Sequence, residues 1–108
     1  MKIITICGSL KYQNHMMILA EKLAKEGHCI LTPIYLTNNQ KEITNEQLEL
    51  LKKEHLKRIE LSDAIVVVNV NNYIGKSTQL EIEYAKKLNK KILYYTNIEG
   101  LYNEINKA

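Results

Sequence analysis

A chain of 108 residues with 45% apolar and 25% charged residues has the composition of one globular domain, not of a disordered or fibrous protein. Its formal charge of +3 comes from 15 basic and 12 acidic residues scattered along the chain; Arg58 is the lone arginine, and tryptophan and phenylalanine are absent. That pattern argues against a nucleic-acid reader, which gathers arginine and aromatic rings on one surface, and no apolar stretch approaches membrane-spanning length.

Lys2 to Cys7 is a short apolar run rich in β-branched residues and closed by Gly8-Ser9, so it reads as a first strand. It is too short for a signal peptide and no small-residue cleavage site follows, so a soluble cytoplasmic protein is expected. From Asn14 to Glu26, Met17, Leu19, Ala20, Leu23 and Ala24 recur at helical spacing, and Gly27 is a stop signal. A second strand is expected over 28–33, followed by a polar, asparagine-rich loop over 35–42. Thr44-Asn-Glu-Gln47 has the form of a capping box and opens a long helix to about Leu61. Ala64 to Val70 is a continuous apolar run, the mark of a strand buried on both faces. Helix is expected over 77–89, strand over 91–95 and a short closing helix over 98–107. Cys7 and Cys29 both fall in strand-like runs, where buried free thiols of a reducing compartment are expected.

Strands alternating with helices, with no hairpin signals, predict a single α/β domain over 1–108. Its sheet should be doubly wound, mostly parallel and four- to five-stranded, with helices on both faces, as in flavodoxin- or Rossmann-like folds. Such sheets bind ligands beyond the carboxyl ends of their strands, where the strand order reverses. The loops after Cys7, Pro33 and Val70 therefore lie at the binding edge.

The stretch YIGKSTQLEIEYA, Tyr73 to Ala85, carries two features that look chemical. Gly75-Lys76-Ser77 matches the second half of a phosphate-binding loop, but the first glycine of that motif is replaced by Val70, which cannot cheaply take the backbone conformations required. A helix start there still suits one anionic group. The two glutamates are not equivalent. With ~100° of rotation per residue, Leu80, Tyr84, Leu88, Ala85 and Ile82 share one broad side and Glu81 falls near its middle, whereas Glu83 falls opposite with Lys86 and Lys87. A carboxylate on an apolar side is costly unless paired or useful. On spacing alone, Glu81 is equally well read as a reactive group or as a cap near a helix start. On the long helix, Leu48, Leu51, His55, Leu56 and Ile59 share a face; His55 there is a satisfied core group or a site residue. Asp63 precedes the third strand, on the order of 20 Å from the binding edge, and is not a candidate.

CGSL after the first strand, GH and TP around the second, SDAIVVVNV as the third and STQLEIEYAKKLNKKILYY together resemble the nucleoside 2-deoxyribosyltransferase family, which includes 2′-deoxynucleoside 5′-monophosphate N-glycosidases. The similarity runs from the first strand to the fourth. It implies cleavage or transfer at the N-glycosidic bond of a (deoxy)nucleoside or its monophosphate, with Glu81 as the nucleophile. It further implies a substrate pocket built from Gly8, Ser9 and Leu10, from Asn69 and Tyr73, and from Gly75 and Ser77. A homodimer or larger homo-oligomer is implied by the same analogy. Two positions depart from the family pattern: Gly75 stands where transferases tend to carry an aspartate, and His55 where the glycosidases place a second acid. His55 is the candidate proton donor to the leaving base. The other reading is a non-catalytic nucleotide-binding sensor of the same fold. No cofactor is expected, and no metal, since the histidines, cysteines and acids show no ligand spacing.

Overall fold

The computed structural model describes residues 1–37 and 42–96. The closing helix expected over 98–107 and part of the loop over 35–42 lie outside the described residues. Four strands alternate with three long helices: β1 (Ile3–Gly8), α1 (Gln13–Lys25), β2 (Cys29–Leu31), α2 (Asn45–Leu61), β3 (Ala64–Val68), α3 (Lys76–Lys87) and β4 (Lys91–Tyr94). Every strand pair is parallel, in the order β2-β1-β3-β4. This is the doubly wound α/β architecture expected, with four strands among the described residues.

The two faces of the sheet separate cleanly because side chains alternate along a strand. Ile4, Ile6, Val66, Val68 and Leu93 point to one face, where α1 covers them with Met16, Leu19 and Leu23. Cys7, Ile65 and Val67 point to the other, under Ile59 of α2 and Ile82 and Ala85 of α3. Both central strands are thus buried on both sides, which explains the unbroken apolar run of β3. Each such fully buried aliphatic side chain contributes about 1.5–3 kcal/mol.

The chain leaves β1 for β2 over one face and returns to β3 over the other. The reversal falls between β1 and β3, whose carboxyl ends pair as Gly8 with Val68. Gly8 lies in a close approach there: a Cβ would sit 3.0 Å from Met16 Sδ and 3.2 Å from the Val68 carbonyl oxygen. The capping box is formed as expected, Thr44 Oγ1 accepting from Gln47 N–H and Gln47 Oε1 accepting from Thr44 N–H.

Three expectations are corrected. β2 stops at Leu31, short of Pro33, which cannot donate to a ladder. β3 stops at Val68, because Asn69 turns its side chain to Thr96 and residues Val70–Asn72 form a 3-10 turn with Asn71 and Asn72 left-handed. Cys29 is exposed, since it opens an edge strand; only Cys7 is a buried thiol. Asp63 accepts from the Ile3 N–H at 2.8 Å and so pins the amino end of the sheet, away from the binding edge. Among the described residues no helix is long and apolar enough to cross a membrane.

Candidate active site

A cavity of about 430 Å³ opens where the strand order reverses, beyond the carboxyl ends of β1 and β3. The turn after β1 supplies Gly8, Ser9 and Leu10. The approach to α3 supplies Tyr73, Gly75 and Ser77, and α2 supplies His55. Glu81 projects into the cavity from the second turn of α3. Of the residues singled out in the sequence, Asn69 alone is not on the wall: it is buried and ties β3 to the chain after β4 through Thr96.

The face of α3 that carries Glu81 differs in detail from the helical projection. Leu80 is 61% exposed, and the buried arc runs through Thr78, Ile82 and Ala85. That arc faces the sheet. Glu81 lies on its flank, beside α2, with its side chain 19% exposed and Oε1 3.7 Å from His55 Nε2. Glu83 is exposed.

His55, Cys7 and Arg58 complete the cluster. His55 is buried, and its Nε2 lies 3.6 Å from Cys7 Sγ. Its Nδ1 lies 3.3 Å from Arg58 Nη1. A guanidinium can only donate, so this contact favours the tautomer with Nδ1 as acceptor and the ring proton on Nε2, the nitrogen nearest Cys7 and Glu81. Burial, then the Arg58 charge, hold the His55 pKa down at about 4, against a smaller opposing pull from the Ile6 carbonyl. His55 is therefore neutral at neutral pH. Burial raises the Glu81 pKa to about 7, and hydrogen bonding with Cys7 opposes that rise. Burial and the nearby Glu81 carboxylate push the Cys7 thiol well above its usual range, so it is a hydrogen-bond donor and not a thiolate.

Cys7 Sγ, His55 Nε2 and Glu81 lie within 4.8 Å of one another, a grouping from three elements that no local sequence spacing could show. Tetrahedral zinc needs ligand atoms roughly 3.5 Å apart, close to the two contacts above. The surrounding chemistry does not fit a resident metal. A histidine ligating through Nε2 hands its Nδ1 proton to an acceptor, and here Nδ1 faces a cationic donor.

The rest of the wall is mixed. Pro33, Ile34, Leu48 and Leu51 contribute apolar lining, and Ser9, Lys76, Ser77 and Thr78 polar lining. Gly75 caps α3 without a side-chain hydrogen bond, and the first turn of the helix carries no acid. At the mouth, Lys11 Nζ stands 3.5 Å over the Tyr73 ring, joining the turn after β1 to that after β3. A second, larger groove of about 500 Å³ shares Leu36 and Leu51, but its acids Glu42 and Glu54 are exposed and unclustered. Sequence reasoning missed Cys7, Arg58 and Lys76; the lone arginine, one turn after His55, was the available signal for the second.

The cavity thus lies at the switch point of a parallel α/β sheet, where such sheets bind their ligands, with the mostly buried Glu81 on its wall. Over residues 5–94 the chain matches the profile of a domain of unknown function, DUF4406, and it belongs to that family. A search of curated proteins finds no match.

Proposed function

We propose that the protein cleaves or transfers at the N-glycosidic bond of a (deoxy)nucleoside or nucleoside 5′-monophosphate, with Glu81 as nucleophile. The observation that carries this reading is Glu81 itself: a mostly buried carboxylate at a cavity wall, its pKa raised to about 7. A perturbed acid in a cleft is a candidate reactive group. The apolar lining suits a flat base, and Lys76 with the open start of α3 suits an anionic 5′ substituent. In the step proposed, a Glu81 oxygen bonds to the anomeric carbon as the carbon–nitrogen bond breaks. The bonding pair leaves with the base, which takes up a proton; water or a second base then displaces the glutamyl ester. His55, neutral and favoured in the tautomer protonated on Nε2, orients and stabilises the Glu81 carboxylate better than it could protonate a leaving base. The reading includes assembly as a homodimer or larger homo-oligomer, cytoplasmic location, and no cofactor.

One observation favours a second reading, a nucleotide-binding sensor without turnover. Among the described residues, Glu81 is the only carboxylate lining the cavity. Incubation with deoxynucleosides and their monophosphates, with free base separated by chromatography, decides between them. Release abolished by Glu81→Ala and kept by Glu83→Ala supports the enzyme. Saturable binding with no release from any substrate supports the sensor.

A further inference from the structure

Arg58 has no role in the reading above, yet it is the one arginine of the chain and its guanidinium is directed at a buried histidine. We propose that Arg58 is the positioning residue of the site: by donating to His55 Nδ1 it fixes the ring proton on Nε2, and so makes His55 a permanent donor toward Cys7 and Glu81. The contact sets a direction for the whole chain of hydrogens. Arg58 Nη1–H points to Nδ1, the Nε2 hydrogen is left for Cys7 Sγ at 3.6 Å, Glu81 Oε1 at 3.7 Å and the Ile6 carbonyl, and the thiol hydrogen is left for the Glu81 carboxylate. Each donor polarises the next, and the carboxylate receives the sum.

The backbone around Arg58 is anchored independently of its side chain. Its carbonyl lies 3.1 Å from Thr5 Oγ1 and 2.8 Å from Ser62 Oγ; one of these hydroxyls donates to it and the other donates to its fellow hydroxyl. A substitution that keeps the aliphatic stem therefore removes the guanidinium without loosening α2 from β1. Cys7 from β1 and Arg58 from α2 contact His55, while Lys52 from α2 and Lys76 from α3 only share the cavity wall. Of the charged ones, Arg58 alone is within hydrogen-bonding distance of the ring.

The same contact closes the cluster to metal. With Nδ1 occupied by a donor, Nε2 has no free lone pair to give to a cation. Without Arg58 the ring can place its proton on Nδ1, and Cys7, His55 and Glu81 become three ligands within 4.8 Å of one another. The catalytic consequence rests on the reading of Glu81 as nucleophile, but the contact does not, and its test needs no substrate.

Ring nitrogen-15 spectra of the whole protein, with His55 assigned by its loss in His55→Gln, report the tautomer directly. The expected wild-type pattern is protonated Nε2 and unprotonated Nδ1. Arg58→Met should give a mixture or the reverse, and Arg58→Lys, which keeps one donor, should restore part of the wild-type pattern. Titration with cobalt(II), followed by the thiolate-to-metal charge-transfer band, should show at least tenfold tighter binding by Arg58→Met than by wild type. A wild-type ring protonated on Nδ1 overturns the proposal, as does a tautomer unchanged in Arg58→Met or a cobalt response that does not differ between the two proteins. These results stand whether or not any nucleoside is cleaved, so failure of this proposal is distinguishable from failure of the activity.

Discussion

Replacing Glu81 by Gln and, separately, His55 by Gln should change the pH dependence of stability in opposite directions. Burial raises the Glu81 pKa from 4.5 to about 7, so between those values the native state keeps a proton that the unfolded chain has lost. The Glu81 contribution is therefore fully present below pH 4.5 and is lost as the pH rises to about 7. His55 runs the other way. Its pKa is lowered from 6.5 to about 4, so its contribution is present above pH 6.5 and is lost as the pH falls through about 4. Each interval spans roughly 2.5 pH units, or about 3 kcal/mol. In the wild type the two slopes cancel between pH 4.5 and 6.5. Relative to wild type, Glu81→Gln should gain about 3 kcal/mol as the pH rises from 4.5 to 7. His55→Gln should lose about as much from pH 4 to 6.5. Urea denaturation of all three proteins across this range, taken as differences from wild type, removes the shared contribution of exposed groups. Differences that stay flat with pH, or that slope the same way in both variants, refute the account of a buried, oppositely shifted pair.

Two other substitutions test the walls of the site. Gly8→Ala places a methyl group against Met16 and the Val68 carbonyl, and should cost about 1–3 kcal/mol in chemical denaturation. Tyr73→Ala removes the ring at the cavity mouth together with its contact to Lys11. If the cavity takes a nucleoside, losing this apolar contact at the mouth should raise KM by about tenfold, with kcat little changed.

Much of the fold was legible because its signals are local. The unbroken apolar run of β3 and the Thr44–Gln47 capping box each follow from a few neighbouring residues; the spacing of α1 found the helix but took the half-exposed Met17 for its buried neighbour Met16. Boundaries were less so: β3 ends at Val68 only because Asn69 finds Thr96 across the sheet, a partner the sequence cannot point to. Cys29 looked buried because its run is apolar, but strand order puts it on an edge. Helical geometry separated Glu81 from Glu83, although Leu80 proved a poor reference for the buried side. The cluster of Cys7, His55, Arg58 and Glu81 draws on β1, α2 and α3, and its chemistry depends on which ring nitrogen meets which donor. No spacing along one helix encodes that.

The covalent step is the central claim, and trapping it is the most direct test. The protein is quenched in acid during steady-state exposure to a deoxynucleoside or its monophosphate, digested, and examined by mass spectrometry. The account predicts a deoxyribosyl or deoxyribosyl-phosphate adduct on the peptide carrying Glu81, absent from Glu81→Gln. Base release that proceeds undiminished in Glu81→Gln, or an adduct on any other residue, would contradict it.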